Sequence, residues 1–464
     1  MYTYFDEMCR GAKNLYNTVN FHIRQVFTGL RRETELHPLQ QEVLEGIRHH
    51  LPVMNKVQKA AYEKRLATEN QKPEEERKKV TCNLFKAPTE KNPYVDFNFL
   101  DAFFKASNQS DYRALPTQTS QSIIRTVFQN WKSFYASLKA YNETPSKFKA
   151  RPKIPKYSRA EKKEVSFSNQ DCVIKNNKFL KFPKTKEMLN IGKLGFSDGK
   201  LKQIRVIPKY GKFFVELVFA VPAEQKGKVE PPRRFMGIDT GQDNLATIVT
   251  NTGCRPVVVK GTRIKSINQH YNKQKARFTG ILRHGKKDGE GQYHSHRLER
   301  LNEKRFLQIK DTFHKASRQI IQLAIDEGID VIVIGKNEDW KQNINIGKKN
   351  NQSFVSIPHN LLVQMITYKA EQLDITVITT EESYTSKASL LDEDDLPTYG
   401  KTEGKPSFSG QRVKRGLYRS KNGTRINADV NGAGNIIRKV FADAFHTTFA
   451  CMDTLLKPVS VHIK

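Results

Sequence analysis

The stretch "RFMGIDTGQDNLATIVTNTGCRPVVVKG", Arg234 to Gly261, decides the fold. "RFMGIDTG" reads as a strand ending in an acid, "NLATIVTNTG" as a second strand with an Asn-Thr-Gly turn, and "RPVVVKG" as a third. Three short β-rich runs joined by tight turns form a meander, which leaves Asp239 at the carboxyl end of its first strand. A Pro-Pro pair at 231 and 232 separates the meander from what precedes it.

Downstream, two helical stretches are predicted over 263–284 and 293–328, split by "GKKDGEGQ". The second carries Phe306, Ile309, Phe313, Ala316, Ile320 and Leu323 on one face. A strand over 330–335, a helix over 358–373, a strand over 375–380, an irregular polar stretch and a final helix from about 430 to 443 follow. This is the element order of an RNase H-like layer. There the first strand lies beside the fourth and the fifth lies beyond, so acids at their carboxyl ends can meet. Asp429 opens the last helix in "INADVNGAGNII", where Gly432, Ala433 and Gly434 permit close backbone approach. Taken singly, Asp239 suits a turn and Asp429 an N-cap. Together, on so basic a chain, they read as metal-binding acids. Two magnesium ions about 4 Å apart require several oxygen ligands, so a third acid is expected.

Upstream, 10–75 and 95–142 read as helical, as in the spacing of Ile123, Val127, Trp131 and Phe134, with "TENQKPEEERKKVTCN" as a charged loop between them. The segment "TPSKFKARPKIPKYSRAEKK", 144–163, has three prolines and cannot be one continuous helix. It is either a solvated linker or a strip that tracks phosphates through Lys147, Lys149, Arg151, Lys153 and Lys156, with Phe148 and Tyr157 available to stack. Residues 164–222 read as short strands of a small antiparallel barrel or sheet.

The 464 residues carry 79 Lys and Arg against 48 acids, a formal net charge of +31, which favours a nucleic-acid partner over a membrane surface. Cys9, Cys82, Cys172, Cys254 and Cys451 are too scattered for a disulfide framework or a zinc knuckle. No signal-peptide pattern and no apolar run of transmembrane length is present, so a cytoplasmic, nucleoid-associated protein of a prokaryotic cell is expected.

"GIDTGQDNLATI", "VIVIG", "WKQ", "YTSK" and "DVNGAGNIIRK" resemble the TnpB proteins of insertion sequences, compact RNA-guided nucleases related to type V CRISPR effectors. The likeness is specific over about 231–445, and "LPTQTSQSIIRTVFQNWKSFYASLKAY" with "PSKFKARPKIPKY" extends it upstream. The resemblance implies an α+β multidomain fold: a mainly helical recognition lobe over 1–143 with part of a wedge, a basic linker and β-barrel wedge over 144–230, and an RNase H-like (RuvC) nuclease domain over 231–464. It further implies a guide RNA, cleavage of complementary double-stranded DNA with a displaced single strand, and Mg2+, for which Mn2+ can substitute. Asp239 and Asp429 match the family's first and last metal-binding acids.

Three departures from the family stand out. The segment 383–427, where relatives carry paired CxxC motifs, has no cysteine, so no structural zinc is expected; its "DEDD" run reads as a solvated loop, and "RVKRGLYRSK" offers Arg412, Lys414 and Arg415 to nucleic acid. The N-terminal wedge strand is short or lost. The strand-four acid is replaced by Gly335. Glu338 is the nearest acid in sequence, but "TTEESYTSK" ends strand five with Glu381 and Glu382, and a glutamate there can lean across the gap that Gly335 opens. Glu382 is chosen as the third ligand, with Glu381 and Glu338 as alternates. Near the cut, Lys336, Lys341, Lys348 and Lys349 are offered to phosphates, Trp340 to packing or stacking, and Asn431 and Asn435 to orienting Asp429 or to capping and packing. The alternatives to a nuclease are a nuclease-dead, RNA-guided DNA-binding regulator and an RNA-independent transposase.

Overall fold

The computed structural model describes residues 1–31, 35–193, 199–221, 231–336, 357–398, 406–445 and 452–463. The chain divides into two compact units, Met1–Gln225 and Lys226–Lys464.

The first unit begins with five helices, α1 (Tyr2–Gly29), α2 (Pro38–Asn70), α3 (Phe97–Ala106), α4 (Ser110–Ala114) and α5 (Thr117–Glu143). Their apolar residues recur at three- and four-residue spacing, which puts Leu15, Val19, Ile23 and Val26 of α1 and Ile124, Val127 and Trp131 of α5 into one core. Trp131 is fully buried, and its indole N–H donates to Asn20 Oδ1 at 2.8 Å, so its one polar atom is satisfied inside that core.

The strands that follow form two open antiparallel sheets. One is ordered β1-β5-β6, from β1 (Val165–Ser168), β5 (Lys200–Lys209) and β6 (Lys212–Ala220); the other is β2-β3-β4, from β2 (Val173–Lys175), β3 (Phe179–Lys181) and β4 (Met188–Asn190). The barrel expected over this stretch is therefore not closed among the described residues: β1 to β4 have only three or four residues each, too short to wrap around. The Lys-Tyr-Gly turn is a two-residue hairpin loop with positive φ at Tyr210 and Gly211, matching the twist of β5 and β6. Helix α1 starts at Tyr2, where a short or lost strand was expected, and Phe5 packs edge-on against Phe182 at 5.2 Å.

The second unit is built on a six-stranded sheet ordered β11-β10-β7-β8-β9-β15. Its strands are β7 (Phe235–Asp239), β8 (Asn244–Thr250), β9 (Val257–Lys260), β10 (Val331–Gly335), β11 (Thr376–Thr380) and β15 (Val459–Val461). The meander β7–β8–β9 is antiparallel, and β10 runs parallel to both β7 and β11. This is the order read from the sequence, with β15 added alongside β9. Both faces are covered. Met236, Ile238, Ile332 and Ile334 pack with α6 (Thr262–Leu282), α7 (His296–Asp326) and α8 (His359–Glu371). Phe235, Val331 and Val333 pack with α9 (Ala428–Arg438). Two-sided burial is why β10 is an unbroken apolar run rather than an alternating one. A short helix, α10 (Met452–Leu455), precedes β15.

Within the polar stretch before α9, β12 (Gln411–Lys414), β13 (Leu417–Arg419) and β14 (Arg425–Asn427) form a small antiparallel sheet. No described helix is long and apolar enough to cross a membrane.

Candidate active site

Strand alternation places Phe235, Gly237 and Asp239 on the face that α9 covers. Gly237 is needed there: a Cβ would stand 2.2 Å from the Ala433 carbonyl oxygen, so only glycine lets α9 approach this closely. That approach brings the first turn of α9, with Asp429, to the strand end that carries Asp239. Gly432 leaves room for the Asp239 carboxylate, whose Oδ2 would lie 2.9 Å from a Cβ at that position.

Asp429 is not the helix cap. Asn427 is, its Oδ1 accepting from the backbone N–H groups of Asp429 at 2.9 Å and Val430 at 3.2 Å. The Asp429 carboxylate instead accepts from Asn244 Nδ2 at 2.6 Å and lies 3.7 Å from the Arg412 guanidinium. Asn244 Oδ1 in turn accepts from Lys260 Nζ at 3.1 Å. Asn244 and Lys260 face each other across β8 and β9, a cross-strand pair that only the register reveals. Asp239 serves no turn: among the described residues nothing hydrogen-bonds its carboxylate.

Gly335 continues the face of Val331 and Val333. Its missing side chain leaves a space entered by Ile436 Cδ1 and by Glu382, whose Cγ and Oε1 would lie 2.8 and 2.9 Å from a Cβ there. Glu382 thus occupies the ground above the strand-four position. Glu381 turns away to an ion pair with Lys439 and accepts from the Ser383 N–H at 2.8 Å. The buried asparagines of α9 hold the turn after Glu382 rather than orienting Asp429. Asn431 accepts from Leu390 N at 2.9 Å and donates to Ala388 O at 2.8 Å, while Asn435 donates to Thr385 O at 2.9 Å and Ala388 O at 2.8 Å. Glu338, Trp340, Lys341, Lys348 and Lys349 lie outside the described residues.

The three acids are coupled through Asp239. Burial, with the neighbouring Asp429 charge, pushes Asp239 up to about 7; burial, with the Asp239 charge, pushes Glu382 up to about 8. Asp239 and Asp429 line a cavity of about 460 Å3 together with Asn244, Lys260, Arg412 and Arg415, and Glu382 does not line it. Among the described residues no three His, Cys, Asp or Glu side chains converge into a metal-ligand set. The carboxylates do supply hard oxygen donors of the kind magnesium takes, and like charges crowded this way gain from a cation.

Arg415 pairs with Asp243, and Lys414 is exposed beside it on the β12 sheet. The "DEDD" run, expected to be a solvated loop, is so only in part: Glu393 and Asp395 are exposed, but Asp392 and Asp394 are tied in. The Asp392 carboxylate accepts from Ser389 Oγ at 2.6 Å, Lys421 N at 2.9 Å and Ser409 Oγ at 3.0 Å. Asp394 accepts from Ser389 N at 2.7 Å and Ser409 N at 3.1 Å. Burial would raise Asp392, but these donors hold it below the usual carboxylate range. Carboxylate hydrogen bonds thus tie the insert's loops together. Lys336 is half-buried, and its backbone N–H donates to Thr380 O at 2.8 Å. In the first unit, Lys147, Lys149, Arg151, Lys153, Lys156 and Tyr157 are all exposed.

Residues 218–341 match the family model OrfB_IS605, a probable transposase, and residues 359–436 match the Cas12f1-like TNB domain. No curated protein matches the chain significantly. Similar solved structures include a Cas12f1–sgRNA–target DNA complex, 14% identical over 85% of this chain and 93% of that one with a TM-score of 0.30. A CRISPR-Cas12f ternary complex is 14% identical over 85% of this chain and 81% of that one, at 0.32. C2c1 of Alicyclobacillus acidoterrestris with single-guide RNA is 16% identical over 40% of this chain and 20% of that one, at 0.27. The two family matches fall on the same motifs, from "GIDTGQDNLATI" through "YTSK" to "DVNGAGNI", that resemble TnpB proteins, and over residues 218–341 and 359–436 the chain is similar to these families.

Proposed function

We propose that this protein is an RNA-guided, magnesium-dependent DNA endonuclease whose second unit is a RuvC-type nuclease domain. The observation that carries the reading is the meeting of Asp239 and Asp429 at one end of the sheet, with Glu382 filling the space over Gly335. The net charge of +31 and the TnpB-like motifs support a guide RNA and a DNA target as partners.

Asp239, Asp429 and Glu382 would hold the cations. Bound magnesium would supply an activated water and charge neutralisation at the scissile phosphate. Asn244 fixes one oxygen of Asp429 and so sets which oxygen faces the cavity. Arg412 and Arg415 stand on the cavity wall; Arg412 can take hold of the phosphodiester once Asp429 turns to the cations, while Arg415 is held there by Asp243. With Asp239 and Glu382 pushed up, protons must leave before both can ligate, so activity should rise with pH through about 7 to 8.

A second reading, an RNA-guided DNA-binding regulator, is favoured by one observation: no convergent ligand set exists among the described residues. One experiment separates the two. RNA that co-purifies with the protein is sequenced, and a plasmid carrying the complement of its variable end is incubated with the complex in Mg2+ or in EDTA. Cutting in Mg2+ that is lost in Asp239→Asn, with RNA retained, supports the nuclease. Undiminished cutting by Asp239→Asn rejects the site, and binding without any cutting supports the regulator.

A further inference from the structure

Of the segment 144–163, left open between a solvated linker and a phosphate strip, residues 151–163 are neither helical nor loose. It runs antiparallel along α1 and is fastened at three levels. Lys163 N donates to Cys9 O at 3.0 Å. Asn17 grips Ser158 twice, Nδ2 donating to its carbonyl at 3.1 Å and Oδ1 accepting from its N–H at 2.8 Å. The Pro155 carbonyl accepts from Arg24 Nη1 at 2.7 Å and from Asn20 Nδ2 at 3.3 Å. Asn20 is fully buried and is held on its other side by Trp131, so this fastening is continuous with the core of α1 and α5.

The fastening sorts the side chains. Ile154, Pro155 and Ser158 face inward and are half-buried, and Ile154 packs on the core. Arg151, Lys153, Lys156 and Arg159 are exposed, and among the described residues none has an acidic partner. The acids nearby are already paired: Glu161 of the strap with Arg10, and Asp6 with Arg10 and with Lys162 of the strap. Cys9 to Asn20 or Arg24 spans roughly 16–22 Å of helix, and the eight steps from Pro155 to Lys163 cover it at about 2–2.8 Å per residue, longer than a helix and short of full extension. Residues three apart on it, Lys153, Lys156 and Arg159, then stand roughly 6–8 Å from one another. Tyr157 lies between them, 40% exposed, with Arg24 4.9 Å from its ring centre.

Left free, so many like charges would spread into solvent. Here the side chains of two asparagines and one arginine, with the Glu161–Arg10 and Lys162–Asp6 ion pairs at its far end, hold the strap to α1, while Lys153, Lys156 and Arg159 stand in a row with no ion pair of their own among the described residues to offset the conformational-entropy cost. We propose that this strap is a preformed rail for the phosphodiester backbone of a nucleic-acid strand, with Lys153, Lys156 and Arg159 each meeting a different phosphate and Tyr157 offering its exposed edge to a base. The rail rests on the nucleic-acid part of the reading above and is independent of cleavage.

The test measures binding in EDTA, so the nuclease reading can fail without touching it. Full-length protein freed of RNA is titrated at several salt concentrations against a fluorescein-labelled hairpin RNA, the DNA of the same sequence, and heparin. Lys153→Gln/Lys156→Gln/Arg159→Gln should lower the salt slope on RNA, DNA or both by about 2–3, at roughly 0.7–0.9 per lost phosphate contact. The nucleic acid affected identifies the source of the strand. A control triple on α2, Lys56→Gln/Lys59→Gln/Lys64→Gln, should change the slope by much less. Asn17→Ala removes no charge; it should weaken binding roughly fivefold to tenfold while leaving the slope unchanged, because the cations remain but are no longer held in line. Thermal unfolding of each variant confirms that it is folded. A wild-type slope in the strap triple, an equal loss in the α2 triple, or a loss on heparin alone overturns the rail. Unchanged affinity in folded Asn17→Ala overturns its being preformed.

Discussion

Gly335→Ala is the smallest change that should disable the proposed site. A methyl there would meet Ile436 Cδ1 at 2.5 Å, Glu382 Cγ at 2.8 Å and Glu382 Oε1 at 2.9 Å. Ordinary contacts need about 3.5–4.0 Å, so both neighbours must retreat by roughly 1 Å. Ile436 is fully buried and backed by the core, which makes Glu382 the more yielding of the two. Overpacking of this kind costs about 1–3 kcal/mol of stability. A displacement near 1 Å of a group that positions the reaction costs about 100-fold in rate. Cleavage of guide-complementary plasmid should therefore fall about 100-fold in Gly335→Ala, while urea unfolding shows a loss of only 1–3 kcal/mol. Because the damage acts through Glu382, Gly335→Ala added to Glu382→Gln should lower the rate no further. Full activity in Gly335→Ala, or additive losses in the double variant, would refute the placement of Glu382 as the third acid.

Three further outcomes are expected. Asp239 and Glu382 are raised to about 7 and about 8, above their unfolded values, so the stability they contribute is present below about pH 4 and is lost as pH rises through 7 to 8. In EDTA, the stability advantage of Asp239→Asn over the parent should grow with pH, by at most about 4 kcal/mol, as followed by urea unfolding; a constant difference between pH 5 and 8.5 would contradict the coupling. Asn244→Ala frees Asp429 Oδ2 and should weaken Mn2+ binding, read by electron paramagnetic resonance, by about 10–100-fold, with Lys260→Met having a smaller effect; unchanged affinity would remove Asn244 from the site. Asp392→Ala strips acceptors from Ser389, Ser409 and Lys421, and should raise amide exchange in β12 to β14 while leaving β7 and β10 protected; uniform protection would show that the carboxylate does not hold the insert.

The sequence by itself determined the meander, the parallel strands after it and the places of Asp239 at a strand end and Asp429 at a helix start, because each of those signals is local. Apolar runs, turn residues and small residues in "NGAGN" sit next to one another in the chain, and sheet order follows from strands of that length joined by helices. Alternation along a strand also limits which of Glu381 and Glu382 can face α9, though the chain leaves its ordered pleat just before them. Other features depend on contacts between residues far apart, and these only the tertiary structure decided. Asn244 meets Lys260 and Asp429 through a register that no motif announces. Asn431 and Asn435 look like neighbours of Asp429 in the chain, but one helical turn directs their amides to the 385–390 turn instead. The acidic "DEDD" run looked solvated because its donors, Ser409 and Lys421, come from loops 15 and more residues away. Whether the segment 144–163 is a linker or an ordered strip stayed open for the same reason: what holds residues 155–163 is α1, over a hundred residues earlier. Composition fixes how much charge a segment carries, but only the packing of distant backbone fixes where that charge stands.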